Sequence, residues 1–310
     1  MKRGMLSKTV AVLSAVAAGL VSPEAQARHT SISVSTDGDR PVDRCDQVHV
    51  RFGDREDPMP MARNENRLAM SRHSRIPLHI KLSRSDGMRI QGWDGDDYAV
   101  KVCLAAGAES VKAAQKRLSE ISVSLEDGRF HVQGPEEENW LVYLLVQAPQ
   151  DAELELETES GDISLQGVSG QVRARSENGP ISLNKCSHQI QASTQNGPIS
   201  ISGGSGDFRL KAENGPISVD LLGAVWQGPG LEARTENGPL ALKLPGNYRM
   251  GIRVEASGHS PMSCKASECR EARKSWDEDL RWIEFGSEPA TVKLYTVNGP
   301  VSIQSRSVEF

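Results

Sequence analysis

From Asp151 onward the apolar positions fall into four columns when the chain is aligned on Asn178, Asn196, Asn214, Asn237 and Asn298, with Ser160 in the equivalent place. Six residues before the marker stand Leu154, Val172, Ile190, Phe208, Leu231 and Val292, and four before it Leu156, Ala174, Ala192, Leu210, Ala233 and Leu294. Three after it come Ile163, Ile181, Ile199, Ile217, Leu240 and Val301, and five after it Leu165, Leu183, Ile201, Val219, Leu242 and Ile303. Polar residues fill the alternate places, so each repeat reads as two strands with an apolar inner and a polar outer face. The first three Asn markers are 18 residues apart, Asn237 follows after 23, and an insertion at about 246–290 precedes Asn298.

Between the two strands the chain writes ENGPIS, QNGPIS, ENGPIS, ENGPLA and VNGPVS. The pairs Asn178-Gly179, Asn196-Gly197, Asn214-Gly215, Asn237-Gly238 and Asn298-Gly299 are read as corners at which the backbone takes positive φ, tolerated by Gly and better by Asn than by most residues. The Pro that follows opens the next strand, where its missing N–H does no harm. Copies stacked in register bring the Asn side chains into a hydrogen-bonded ladder, and no rung encloses a core alone. The predicted fold is mainly β: a stacked-rung β-solenoid, like a single-stranded β-helix, behind an N-terminal β-rich region containing one helix. The alternative is an antiparallel β-sandwich or meander, because Asn-Gly is also the strongest hairpin signal. The solenoid accounts for the position-by-position identity, since like residues then lie above like.

Residues 28–150 carry no repeat. Alternating segments at 48–52, 76–82, 88–90, 98–104, 129–132 and 141–146 predict strands, and 108–120, rich in helix formers without Gly or Pro, predicts the helix. The chain thus divides into 1–27, 28–150 and a repeat unit at 151–310. Residues 1–27 have the form of a signal peptide: Lys2, Arg3 and Lys8 precede an apolar run ending at Ser22-Pro23-Glu24, and Ala25-Gln26-Ala27 fits the A-x-A rule. Cleavage is expected between Ala27 and Arg28, so that the mature chain begins at Arg28. The apolar run is too short to span a bilayer, and no transmembrane span is expected in the mature chain.

Charge and cysteine content narrow the function. The formal net charge is −5, and loss of the leader's three cations and one carboxylate takes it to −7, which argues against nucleic acid as a partner. Of five cysteines, Cys264 and Cys269 lie in one short loop, CKASEC, and form the first expected disulfide, whose removal is expected to cost little stability. Cys45 with Cys103 is the second, leaving Cys186 as a buried thiol. No His sits at ligand spacing beside Cys264 and Cys269, so no metal site is read there.

The outward rows offer surfaces rather than a catalytic constellation. Glu159, Glu177, Gln195, Glu213 and Glu236 precede the corners, and Arg175, Ser193, Lys211 and Arg234 stand two positions earlier. These rows are read as an interleaved, solvated face of balanced charge, with a polyelectrolyte-binding face as the functional alternative. The other strand carries Ser164, Ser182, Ser200, Ser218 and Ser302, a hydroxyl row without an aromatic platform for a sugar ring. The seven histidines form no metal-ligand pairing, and no Ser occupies a G-x-S-x-G turn. No catalytic residue, cofactor or metal site is assigned.

The phrases MRIQGWDGDDYAVKV and ELELETESGDISLQGVSGQVRARSENGPISL resemble the bacterial toastrack family, also described as putative adhesins. The likeness spans roughly residues 85–305. It implies a β-solenoid outside the cytoplasm, with adhesive, scaffolding or envelope-stress-sensing roles. The expected function is an exported, non-enzymatic binding or scaffolding protein of the cell envelope, periplasmic or secreted to the cell surface. Its expected partner is an envelope protein or glycan surface. The rivals are an envelope enzyme acting on glycans and a self-assembling envelope-stress or signalling component that associates through an end rung.

Overall fold

The computed structural model describes residues 31–306 apart from 37–41, 72–75, 85, 137–138 and 258. The leader, with Ala27 and Arg28, lies outside the described residues. Two long sheets, one of 12 strands and one of 11, face each other across one core, and a separate two-stranded sheet packs on the outside of the 11-stranded one at the N-terminal end. Each repeat contributes one strand to each long sheet. Neighbouring repeats pair parallel and in register, Val172 beside Ile190 beside Phe208 in one sheet and Ile181 beside Ile199 beside Ile217 in the other. This is the stacked-rung solenoid, since a meander or sandwich of hairpins would pair antiparallel.

The alternation builds the core directly. In the rung centred on Asn196, Ile190, Ala192, Ile199 and Ile201 all point inward and are buried, as are their equivalents above and below. Each buried Ile or Leu contributes about 1.5–3 kcal/mol of apolar burial, available only when the next rung covers it. The five extra residues before Asn237 bring in Trp226, whose ring packs edge-on against Phe208 at 5.2 Å while its indole N–H donates to the Gly206 carbonyl.

The stack extends beyond the six aligned repeats. Leu78–Leu82 and Gly87–Trp93 form an additional rung that pairs parallel with Leu154–Thr158 and Ile163–Gln166. At the far end Met250–Ser257 and Met262–Cys264, drawn from the 246–290 insertion, form another. Both of these strands pair with the Asn298 repeat, as Ile252 with Val292 and Met262 with Val301. The chain therefore lays down the outermost rung first, returns through the antiparallel strands Arg273–Trp276 and Leu280–Phe285, and fills the vacant slot with its last repeat. The sheet edge there is the short, basic strand Arg273–Trp276, of a kind that discourages strand addition.

At the opposite end Trp140–Pro149 and Arg129–Gln133 still pair parallel with the first rung, and the strands beyond them pair antiparallel. Met61–Met70, Tyr98–Gly107 and Trp140–Pro149 continue the 11-stranded sheet, while Ser122–Glu126 and Arg129–Gln133 close the other. The helix Val111–Ser119 is shorter than the sequence suggests, its N-terminus fixed where the Ser110 side chain accepts from the Ala113 N–H. It places Ala114 and Leu118 against the core. Ile32–Thr36 and Val48–Phe52 cover the outer side of Tyr98–Gly107, burying Phe52 and Tyr143 in a second small core.

Both expected disulfides are present, and Cys186 is a free, buried thiol. Cys45–Cys103 ties the two-stranded sheet to the stack across 58 residues, whereas Cys264–Cys269 closes a span of 5 in the outermost rung. Chain entropy assigns these about 4 and about 2 kcal/mol respectively. We expect Cys45→Ser/Cys103→Ser to lower the urea midpoint clearly more than Cys264→Ser/Cys269→Ser, and equal midpoints would contradict that ordering.

Candidate binding face

At the corners the backbone ladder continues without interruption: Glu177 N–H donates to Thr158 O and Asn178 N–H to Glu159 O, and the next rung repeats both bonds. The Asn side chains form a ladder of their own, Asn196 donating to Asn178 at 2.8 Å, Asn214 to Asn196 at 3.0 Å, Asn237 to Asn214 at 2.9 Å and Asn298 to Asn237 at 2.9 Å. Positive φ, expected from the sequence, is not what the corners require glycine for. Neither the Asn nor the Gly of Asn178-Gly179, Asn196-Gly197, Asn214-Gly215, Asn237-Gly238 or Asn298-Gly299 has positive φ. Glycine is required because the corners stack in contact: a Cβ on Gly197 would lie 2.2 Å from the carbonyl oxygen of Gly179.

Two positions before each corner runs a buried hydroxyl row that the sequence reading passed over: Thr158, Ser176, Thr194, Thr235 and Thr296, broken by Ala212. Ser176 accepts from the Gly179 N–H at 2.7 Å, and Thr235 and Thr296 donate to the carbonyls of Gly215 and Gly238 in the rung below. These side chains satisfy corner groups that the sheets leave over. Their signal was a small hydroxyl residue recurring at an inward position, where an apolar one would otherwise stand.

The first additional rung puts Asp86 in the corner-glycine column, its carbonyl accepting from Thr158 Oγ1 at 2.9 Å. Its buried carboxylate accepts from the Val142 N–H at 2.8 Å, and its other oxygen has no hydrogen-bond partner among the described residues. Burial raises its pKa to about 7, against smaller opposing effects of the Val142 bond and Arg84. Beside it, Asp162 occupies the place that Pro takes in later corners and accepts from Tyr143 Oη at 2.8 Å. Burial raises the pKa of both groups, and for Tyr143 the Asp162 charge adds to the rise. The arrangement fastens the stack to Trp140–Pro149.

On the outer side of the 12-stranded sheet, two columns of side chains face solvent. One runs Glu155, Arg173, Gln191, Arg209, Glu232; the other runs Glu157, Arg175, Ser193, Lys211, Arg234. They line a shallow groove of about 650 Å³. The expected interleaving of the outward rows is only partial. Lys211 lies 3.8 Å from Glu213 and 3.4 Å from Glu236, but Arg234 instead stacks on Tyr295 at 4.3 Å. At the N-terminal end Glu155 meets His79 at 2.7 Å and Arg173 at 3.3 Å, and Glu157 meets Lys81 at 3.3 Å; at the other end Glu284 meets Arg253 at 2.8 Å and Arg273 at 2.7 Å. In the other sheet the serine row faces outward, with Ser182 and Ser200 hydroxyls 3.1 Å apart. Among the described residues no group of three or more His, Cys, Asp or Glu side chains is placed to hold a metal ion, and no helix is long and apolar enough to cross a membrane.

No curated protein matches the chain. Among solved structures, a "putative cell adhesion protein" from Clostridium sporogenes is 11% identical, with a TM-score of 0.34 over 79% of this chain and 100% of that one. A "putative adhesin" from Bacteroides fragilis is 12% identical, with a TM-score of 0.35 over 78% and 97%. A "putative adhesin" from Parabacteroides merdae is 7% identical, with a TM-score of 0.36 over 79% and 96%. The family assignment rests on none of these three but on the match of the Toastrack DUF4097 family model to residues 108–304, well over half the chain. By that match the chain belongs to the toastrack family.

Proposed function

We propose that this is an exported, non-enzymatic binding or scaffolding protein of the cell envelope, engaging an envelope surface through the outer face of its stack. The observation that carries the reading is the in-register columns of polar side chains across consecutive rungs, each about 4.8 Å from the next. Such an array makes many weak, equally spaced contacts and gains affinity by their number. Two disulfides fit an oxidising compartment, as does the leader read at residues 1–27. Binding is favoured over catalysis because the buried groups Asp86, Asp162 and Tyr143, whose pKa values burial raises, are engaged in structural bonds beneath the surface rather than converging on a cleft.

The test combines fractionation with sedimentation. The chain produced from Met1 should be recovered outside the cytoplasm beginning at Arg28, and purified 28–310 should co-sediment with washed envelope material. Retention in the cytoplasm with an intact leader, or failure to co-sediment, defeats the reading.

A further inference from the structure

We infer that the groove on the outer face of the 12-stranded sheet binds a linear acidic polysaccharide, one carrying an anionic group on alternate sugars; this rests on the proposed envelope-binding role and names its ligand class. Along the groove, Gln191 and Ser193 form a neutral rung. On one side of it stand Arg173 and Arg175, and on the other Arg209 and Lys211. The cation pairs are two strand steps apart, about 10 Å, and the two cations of a pair are two residues apart along a strand, roughly 7 Å. In a chain of net charge −5 this groove is lined by five Lys and Arg side chains against three Glu. The groove therefore carries a local excess of positive charge on an otherwise acidic molecule.

These cations remain available to a ligand. Arg175 makes no hydrogen bond or ion pair among the described residues. Arg173, Arg209 and Lys211 have carboxylates at 3.3, 3.6 and 3.4 Å, but their side chains are more than half exposed, at 54%, 67% and 52%. Exposed pairs of this kind contribute only about 0–1 kcal/mol, so an anion that exchanges with them displaces little. Between the cations, the Gln191 amide and Ser193 hydroxyl offer donors and acceptors to sugar hydroxyls.

Spacing and sign select the polymer. Duplex DNA presents one charge per ~1.7 Å of axis, far denser than cations about 10 Å apart, and would drive its remaining phosphates against Glu155 and Glu232 at the two ends of the same column. A glycan charged on every second sugar leaves its neutral sugars over the Gln191 and Ser193 rung. The groove's lack of an aromatic platform is tolerable when charge and hydrogen bonds supply the attraction.

Purified 28–310 should bind hyaluronate, whose carboxylates recur on every second sugar, with affinity falling as salt rises, and should not bind neutral dextran. R175E/R209E should weaken hyaluronate binding by at least about tenfold, equivalent to about 1.4 kcal/mol. R175K/R209K should retain binding, and K243E, on the serine-bearing sheet, should bind as wild type; unchanged melting of each variant shows that it is folded. The inference is overturned if wild type fails to bind hyaluronate, if folded R175E/R209E binds it equally, or if duplex DNA binds as tightly. Co-sedimentation with envelope material without hyaluronate binding removes this inference alone, whereas hyaluronate binding without co-sedimentation removes the envelope role.

Discussion

Gly197→Asn should destabilise the protein as severely as Gly197→Val, by about 3 kcal/mol or more. If the corner owed its glycine to positive φ, Asn would be the mildest replacement available. The structure gives a different cause. A Cβ at Gly197 meets the Gly179 carbonyl oxygen at 2.2 Å and its carbon at 2.7 Å, and these are backbone atoms that cannot swing aside. Relief requires the rungs to separate, which breaks the Asn196 to Asn178 bond at 2.8 Å and uncovers Ile181 against Ile199. Damage should therefore reach the rungs on both sides, as in other quasi-one-dimensional stacks. Ser200→Ala, on the outer face of the same rung, removes one half-buried hydroxyl contact to Ser182 and should cost less than about 1 kcal/mol. Urea denaturation of the mature protein decides between these accounts: a Gly197→Asn midpoint close to wild type would restore the positive-φ explanation and remove the steric one.

The second large effect is on pH dependence. Burial lifts the folded-state pKa of Asp86 from 3.8 to about 7, so the folded protein holds this proton more tightly than the unfolded chain. Its contribution to stability is therefore fully present below about 4 and is lost as pH rises through about 7, a change of the order of 4 kcal/mol. Asp162, also raised by burial, acts in the same direction. In Asp86→Asn the amide oxygen can still accept from Val142, but no charge develops. The unpartnered position then holds an amide, with a pH-independent cost of about 1–3 kcal/mol. The informative quantity is therefore the wild-type-minus-variant difference, measured by urea unfolding at pH 4 and pH 8. We expect the difference to move several kcal/mol in favour of the variant at pH 8. A difference independent of pH would show that Asp86 is ionised at its ordinary pKa.

The repeat was legible before any coordinates because its information is local and redundant. Period-two alternation assigns Ile190, Ala192, Ile199 and Ile201 to the core from one 18-residue unit, and each further unit repeats the assignment. The Cys264–Cys269 pairing is readable for a similar reason, as its closure spans only 5 residues. The rungs built from Leu78–Leu82 with Gly87–Trp93 and from Met250–Ser257 with Met262–Cys264 carry the same alternation. They turn at Asp86-Gly87 and Ser260-Pro261, however, without the Asn-Gly-Pro marker that identifies the others.

What the sequence determined by itself was the strand pair, its inward face and the need to stack, because side-chain alternation and the apolar columns are properties of neighbouring residues. Tertiary structure alone decided the order of stacking, in which the Met250–Ser257 rung lies outside the later Asn298 repeat. It alone decided the cause of the corner glycines, since the atom that excludes a side chain from Gly197 belongs to Gly179, 18 residues away. The buried environment of Asp86 and the flanking of Gln191 and Ser193 by cations on both sides likewise arise only when separate rungs pack together. Desolvation and charge spacing are set by neighbours in space, and in a stack those neighbours are at least one full turn of chain away.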